Sequence, residues 1–238
     1  MTATRSRDIQ SFYGSLDRLS ERIGGPRKLT EDPYSIGLPS HGVYFFFEDG
    51  EARTFWSGAS RVVRVGTHAI KATSKATLCD RLSAHRGSPL GLGGNHWTSI
   101  FRHYVGAALL CKHKDTMCCN SWLGNRREAA AEQDVEEKVS KTIRSMSFLW
   151  IAVEDSEEGC QQRAFIERNA IALLSNYDRP DPIDPASSTW LGKFCKERSE
   201  RVCRSGLWNH ALVARSSYDP EFINCFRSFV DKTFAPSV

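Results

Sequence analysis

The sequence predicts an α/β (α+β) fold: a small, mostly antiparallel sheet of three core strands flanked by helices, with helical extensions at both ends. Two observations carry that reading. Three apolar runs have strand length, GVYFFFE at 42–48, RVVRVG at 61–66 and FLWIAVE at 148–154. Stretches with helical periodicity separate the second run from the third and follow the third, giving the order strand, strand, helix, helix, helix, strand, helix.

In chain order, a helix is expected over 8–22, ended by Gly24, Gly25 and Pro26. A Pro/Gly/Ser-rich passage at 32–40 then leads into the first strand, so 1–40 reads as an N-terminal helical arm. Asp49-Gly50 signals a turn after that strand, and 51–60 reads as an irregular loop or a small extra hairpin. In the helix over 75–86, Leu78 and Leu82 stand one turn apart and Gly87 is placed as a stop. Gly91, Gly93 and Gly94 form a glycine-rich loop before Ser99, which caps a helix over 100–110. An amphipathic helix over 134–144 precedes the third strand, and 160–174 is helical again. The stretch 176–185 is rich in proline and aspartate and must be loop, and 221–230 reads as a terminal helix. The core is therefore expected over 41–180, with 181–238 packed on it as a C-terminal extension.

Composition bounds the function classes. A hydrophobic content of 40% in 238 residues supplies a real core, and no apolar run reaches membrane-spanning length. The polar, basic start has no apolar segment behind it, which predicts a cytoplasmic protein whose eight cysteines are reduced thiols. Cys111, His113, Cys118 and Cys119 could in principle supply zinc ligands. They lack a CxxC knuckle and the adjacent cysteines diverge, so no zinc site is expected. A net charge of +4 allows a nucleic-acid partner without demanding one.

A few residues stand out chemically. Glu167 lies within the apolar stripe Ile166, Ala170, Ile171, Leu173 and Leu174, where a carboxylate needs an ion pair, a hydrogen bond or a metal. Arg81 and His85 project from one helix face, an arrangement that suits a surface pair or a phosphate contact. Tyr44 shares a strand face with Phe46, where a tyrosine is usually core. The loop holding Asn95, His96 and Arg102 suits nucleic-acid contacts and equally a surface loop that caps a helix.

Taken in order, GVY at 42–44, RVG at 64–66, RLSAH at 81–85 and Glu167 in IERNAIALLSN resemble the motif series of the GIY-YIG nuclease superfamily. The resemblance covers about 42–176 and is greatest to restriction-enzyme-like members, which carry insertions and a histidine one turn after the arginine. It implies a metal-dependent endonuclease with Tyr44, Arg64, Arg81, His85 and Glu167 as the catalytic set and Glu167 as the ligand of one Mg2+ or Mn2+ ion. Nucleic acid, DNA in preference to RNA, is the implied partner. His68, Asn95, His96, Arg102 and Asn176 are the residues expected to contact it, Asn176 matching an asparagine the family often carries. The chain departs from the pattern at Arg64, where the second motif has tyrosine, and in the longer gap created by 51–60. Arg64 is expected to point inward near Tyr44, and His68 to fill part of the vacated space. Competing readings are a nucleic-acid-binding module that kept the fold and lost catalysis, and a zinc-stabilised interaction protein. The aromatic segments at Trp190 and 205–210 would pack the extension onto the core or form a homodimer contact.

Overall fold

The structure, a computed structural model, describes residues 2–55, 58–68, 74–88, 90, 93–114, 121–124, 129–196 and 198–234. Its sheet contains β1 (Arg27–Lys28), β2 (Gly42–Ala52), β3 (Ser60–Thr67) and β4 (Ser147–Ala152) in the spatial order β1-β4-β2-β3. Every neighbouring pair is antiparallel. The fourth strand, absent from the sequence reading, is β1, whose two residues are too few to show any alternation.

The apolar run expected as the first strand is the central β2, paired on both sides. Asp49-Gly50 is not a turn. Gly50 sits inside β2 with φ of 87°, and the ladder to β3 slips between Phe47 and Ala52. The pair therefore makes an irregularity that lets the hairpin run on to Ala52 and Ser60.

Alternation along β2 assigns the two faces of the sheet. Val43 and Phe45 turn to the back, where α1 (Thr2–Arg22) and α7 (Phe222–Lys232) cross them. There the Phe45 ring meets Phe12 at 5.8 Å and Phe226 at 5.5 Å. Helix α1 begins earlier than its apolar period suggests because Arg5, buried, donates to the carbonyls of Leu173 and Ser175 at 2.9 and 2.8 Å. Those carbonyls close α5 (Glu157–Leu174), whose terminal acceptors need such donors.

Tyr44 and Phe46 turn to the front, under α2 (Leu78–Arg86), α3 (Ile100–His113) and α4 (Ala129–Ser145). Thr77 and Asp80 form a reciprocal capping box that starts α2 later than expected, and Gly87 ends it as expected. Ser99 caps α3 in the manner foreseen, its side chain accepting from the Arg102 N–H.

The C-terminal extension adds a 3-10 turn (Leu191–Cys195) and α6 (Glu200–Ser205) before α7. It also closes the open edge of β3. Trp208 N–H donates to the Val63 carbonyl at 2.7 Å, and the Asn209 amide both accepts from Val65 N–H at 3.1 Å and donates to its carbonyl at 2.7 Å. An exposed edge would otherwise invite pairing with another chain. The Trp190 and Trp208 rings meet edge to face at 5.1 Å, and both indole N–H groups donate to one oxygen of Glu48, at 3.0 and 3.1 Å. Burial pushes the Glu48 carboxyl up, and the two indole bonds pull against it. Among the described residues no helix is long and apolar enough to cross a membrane.

The Glu48 arrangement makes a stability prediction. Glu48→Ala strands two buried indole donors and should lower unfolding stability by about 2–4 kcal/mol, while Glu48→Gln keeps an acceptor and should cost less than half of that. Urea melts of the two variants check it; equal losses would show that the carboxylate charge, not its acceptor, holds the extension.

Candidate active site

The site is built where β2 and β3 end together under α2. Tyr44 and Gly66 are directly opposed across the antiparallel ladder. The Tyr44 side chain lies over Gly66 so closely that a Cβ there would stand under 3.0 Å from three atoms of the phenol, its hydroxyl included. Only glycine leaves that path open.

The phenol ends 2.8 Å from His85 Nε2, and His85 Nδ1 lies 2.7 Å from Ser99 Oγ. His85 is fully enclosed, with Phe101 edge-on at 5.4 Å. Burial first, then the charges of Arg81, Arg64 and Arg102, hold its pKa well below the usual value, so the ring is neutral at pH 7. A neutral imidazole has one N–H and one bare nitrogen, which gives the Ser99–His85–Tyr44 chain two settings. In one, His85 accepts the Tyr44 proton; in the other, it donates to the Tyr44 oxygen.

Arg64 is paired with Phe46 and lies buried on the same face as Tyr44. Its Nη1 donates to the Trp208 carbonyl at 2.8 Å and its guanidinium sits 4.6 Å above the Phe101 ring. It is within hydrogen-bonding reach of Tyr44, and Glu167 contributes a favourable charge. Arg81, one turn before His85 on α2, acts on the same group of residues, and its buried Nε has no hydrogen-bond partner among the described residues. Glu167 comes from α5, where it accepts the Thr67 N–H at the end of β3. Burial raises its carboxyl above the ordinary value, opposed by Arg64, the Thr67 N–H and Arg81. The structure thus brings together Tyr44, Arg64, Arg81, His85 and Glu167, contributed by β2, β3, α2 and α5.

His68 borders this group. It is buried against His41, the rings stacked at 5.1 Å. Burial, then His41 and Arg163, lower its pKa to about 4.

The four other expected contacts lie elsewhere. Arg102 is completely enclosed, donating to both the side chain and the backbone carbonyl of Glu136, to Ser140 Oγ and to the His85 carbonyl at 2.9 Å. His96 is buried too, its Nδ1 3.0 Å from Glu136 Oε1 and its ring stacked on Trp122 at 3.9 Å. Burial pushes the Glu136 carboxyl up, but the His96 bond and Arg102 outweigh it and hold it below the usual carboxylate value. These two side chains therefore brace α3 against α4 and fix His85; they do not face a ligand, which corrects their reading as nucleic-acid contacts. Asn176 is a second correction. Its amide accepts from Arg5 and the Ile183 N–H and donates to the Ile183 carbonyl, which closes the loop after α5 away from Glu167. Asn95 accepts from the Trp97 N–H as the cap of a 3-10 turn (His96–Thr98) and keeps only part of its surface exposed.

Residues Cys118, Cys119 and Gly91 fall outside the described residues. Ser99, Thr67 and Glu136 were not foreseen as parts of the site. Only Ser99 had a signal, as a helix cap.

A model of the GIY-YIG domain matches residues 3–236. The chain belongs to the GIY-YIG family. The family is one of nucleases, and the match takes in the N-terminal arm and the C-terminal extension as well as the central segment. No curated relative and no solved structure matches the chain. Tyr44 and Gly66, which the sequence reading aligned with the GIY-YIG motifs, are opposed across the β2–β3 ladder, and Arg64 lies buried on the same face.

The enclosed histidines make this GIY-YIG domain acid-sensitive. Burial lowers both His68 and His103 from the usual 6.5 to about 4, His103 also feeling Arg198. The unfolded chain therefore binds more protons between those values, and the stability these rings contribute is complete above pH 6.5 and lost as pH falls toward 4. The melting temperature should drop by roughly 5–10 °C from pH 7 to 4.5. His68→Asn should flatten that slope, and a slope unchanged by the substitution would show that His68 is charged in the folded protein.

Proposed function

We propose that the chain is a metal-dependent endonuclease that hydrolyses phosphodiester bonds of nucleic acid, DNA ahead of RNA, in a restriction or defence role. The observation that carries the reading is the convergence on one sheet end of a phenol, two guanidinium groups and a desolvated carboxylate. The likeness to restriction-enzyme-like members supports DNA and the defence role.

The Glu167 carboxylate would hold Mg2+ or Mn2+. It is a hard oxygen donor that burial and neighbouring charge make specific, and among the described residues no three metal-ligating side chains form a cage. That donor set fits an ion that keeps waters and is shared with a substrate phosphate. Such an ion, when bound, stabilises charge on the scissile phosphate and the leaving oxygen.

The remaining work falls to the chain's own groups. Arg81 offers its planar fork, with an Nε that has no hydrogen-bond partner among the described residues, to the phosphoryl oxygens. Tyr44, its hydroxyl proton first lost to solvent, takes a proton from the attacking water as the water oxygen bonds to phosphorus and the bond to the leaving oxygen breaks. A tyrosine in water ionises only at about pH 10, so the negative charge on its oxygen needs support. Arg64 supplies it from the same face, and His85, set to donate, supplies it from the other side. The leaving oxygen collects its proton from solvent. The rival reading, a binding module without catalysis, rests on Arg64 in place of tyrosine.

Two predictions separate these readings. With plasmid DNA, single-stranded DNA and structured RNA as substrates, cleavage should require Mg2+ or Mn2+ and stop with a chelator. Glu167→Gln should abolish it, and Arg81→Lys should lose at least a hundredfold because the fork is lost while the charge remains. Binding without cleavage by the unsubstituted protein would favour the module. Arg64→Ala should lower kcat about tenfold to a hundredfold and leave KM within about threefold, since it supports the ionisation of Tyr44 and does not hold the substrate. Unchanged kcat would leave Arg64 with a purely structural task.

A further inference from the structure

The segment that covers the edge of β3 also carries an unbalanced charge. It runs in the same direction as β3, with Trp208 bonded at Val63 and Asn209 at Val65, so His210 emerges beside the end of β3 that holds Gly66 and Thr67. His210 is exposed, stacked on Tyr104 at 5.6 Å, with Nδ1 2.9 Å from Ser199 Oγ. Arg201 and Arg198 act on its charge, Lys196 and Lys193 precede them in the chain, and all four are exposed.

Their partners are the informative feature. On the same segment Arg204 pairs with Asp178 and Glu200. Lys193, Lys196, Arg198 and Arg201 have no acidic partner among the described residues, and Arg198 instead donates to the Nε2 of His103 at 2.6 Å. The ring nitrogen that accepts this bond belongs to a neutral imidazole, not to a carboxylate. Burial, then Arg201 and Arg198, lower the pKa of His210, so both guanidinium groups act on this ring. Exposed Phe194 beside Lys112, whose Nζ lies 5.7 Å from the ring centre, adds an aromatic face to the same region. Like charges held together repel in the free protein, and a polyanion relieves that repulsion while releasing its counterions.

We propose that this ridge, Lys193 to His210, grips the DNA phosphate backbone on the side of the catalytic site bordered by β3. The proposal rests on the nuclease reading and adds the surface that holds the substrate. Its cations are carried on the C-terminal extension, and the direct bond from Arg64 Nη1 to the Trp208 carbonyl ties that surface to the site.

The test uses the full chain with Glu167→Gln, so that substrate is not cut, and measures binding to a fluorescently labelled DNA duplex by anisotropy from about 50 to 300 mM salt. Adding Lys196→Gln and Arg201→Gln should weaken binding at least tenfold at low salt and make the log–log salt slope shallower by about 2, one for each phosphate contact. Arg227→Gln, an exposed cation on α7, should leave both unchanged. Lys193→Gln with Lys196→Gln reads the same ridge through a second pair, and thermal melting establishes that each variant folds. If the parent binds duplex and both pairs leave affinity and slope unchanged, the ridge is overturned and the nuclease reading stands. If the parent binds only structured RNA, the choice of DNA is overturned. If it binds neither, the nuclease reading and the ridge fall together.

Discussion

The front of this molecule depends on one crossing: the side chain of Tyr44 passing over Gly66. Two strands in register place opposed residues on one face at about 4.5–5.5 Å, a distance at which two side chains normally contend for space. With nothing at position 66, the phenol can lie across the neighbouring strand and carry its hydroxyl to His85. Any larger residue would push the ring off that line. The geometry of the candidate site is thus decided by backbone pairing before any charged group enters it. Arg64 then arrives from the same strand as Gly66, and Glu167 comes from α5 to accept the N–H of Thr67 at that strand's end.

Holding the phenol in place requires that His85 itself be immobile, and the structure achieves this with a buried charge. Arg102 lies wholly inside the protein, where an unpaired guanidinium would cost several kcal/mol. Its bonds to Glu136, Ser140 and the His85 carbonyl satisfy most of its donors, and His96 completes the coordination of the same carboxylate. A fully satisfied network of this kind is stiff, because loosening one member leaves another buried and unpaired. The same logic appears on a smaller scale at Glu48, where one carboxylate oxygen receives two indoles from the extension.

What could be read from the sequence follows from how far each signal reaches. The strand at 42–48, the capped helices and the carboxylate within the apolar stripe of α5 are local patterns, and each sits where its period placed it. Glu167 was conspicuous because an apolar stripe is a strong background. Arg102 and His96 looked like ligand contacts because they follow glycines in a polar stretch; their partner Glu136 lies on a helix whose packing no local pattern announces. Asn176 sat one step past the right helix, yet its amide is needed to close its own loop. Two-residue β1, the 3-10 turn at Leu191–Cys195 and six-residue α6 are shorter than a recognisable period. The edge cover at 208–209 is made by a backbone N–H and one amide side chain, which leave no hydrophobic alternation to detect.

That edge cover explains how an arginine can be buried beside Tyr44. A buried guanidinium needs acceptors that a phenol does not, and the nearest strand supplies none because β3 is the edge of its sheet. The extension brings the missing acceptor, the Trp208 carbonyl, by docking on that edge, while Phe101 offers a ring face beneath the cation. Remove the extension and Arg64 would lose its carbonyl at the same moment that β3 regained an open edge. The buried cation at position 64 and the C-terminal extension are therefore one structural device. The cation beside Tyr44 exists because residues more than a hundred positions later in the chain were folded back to hold it.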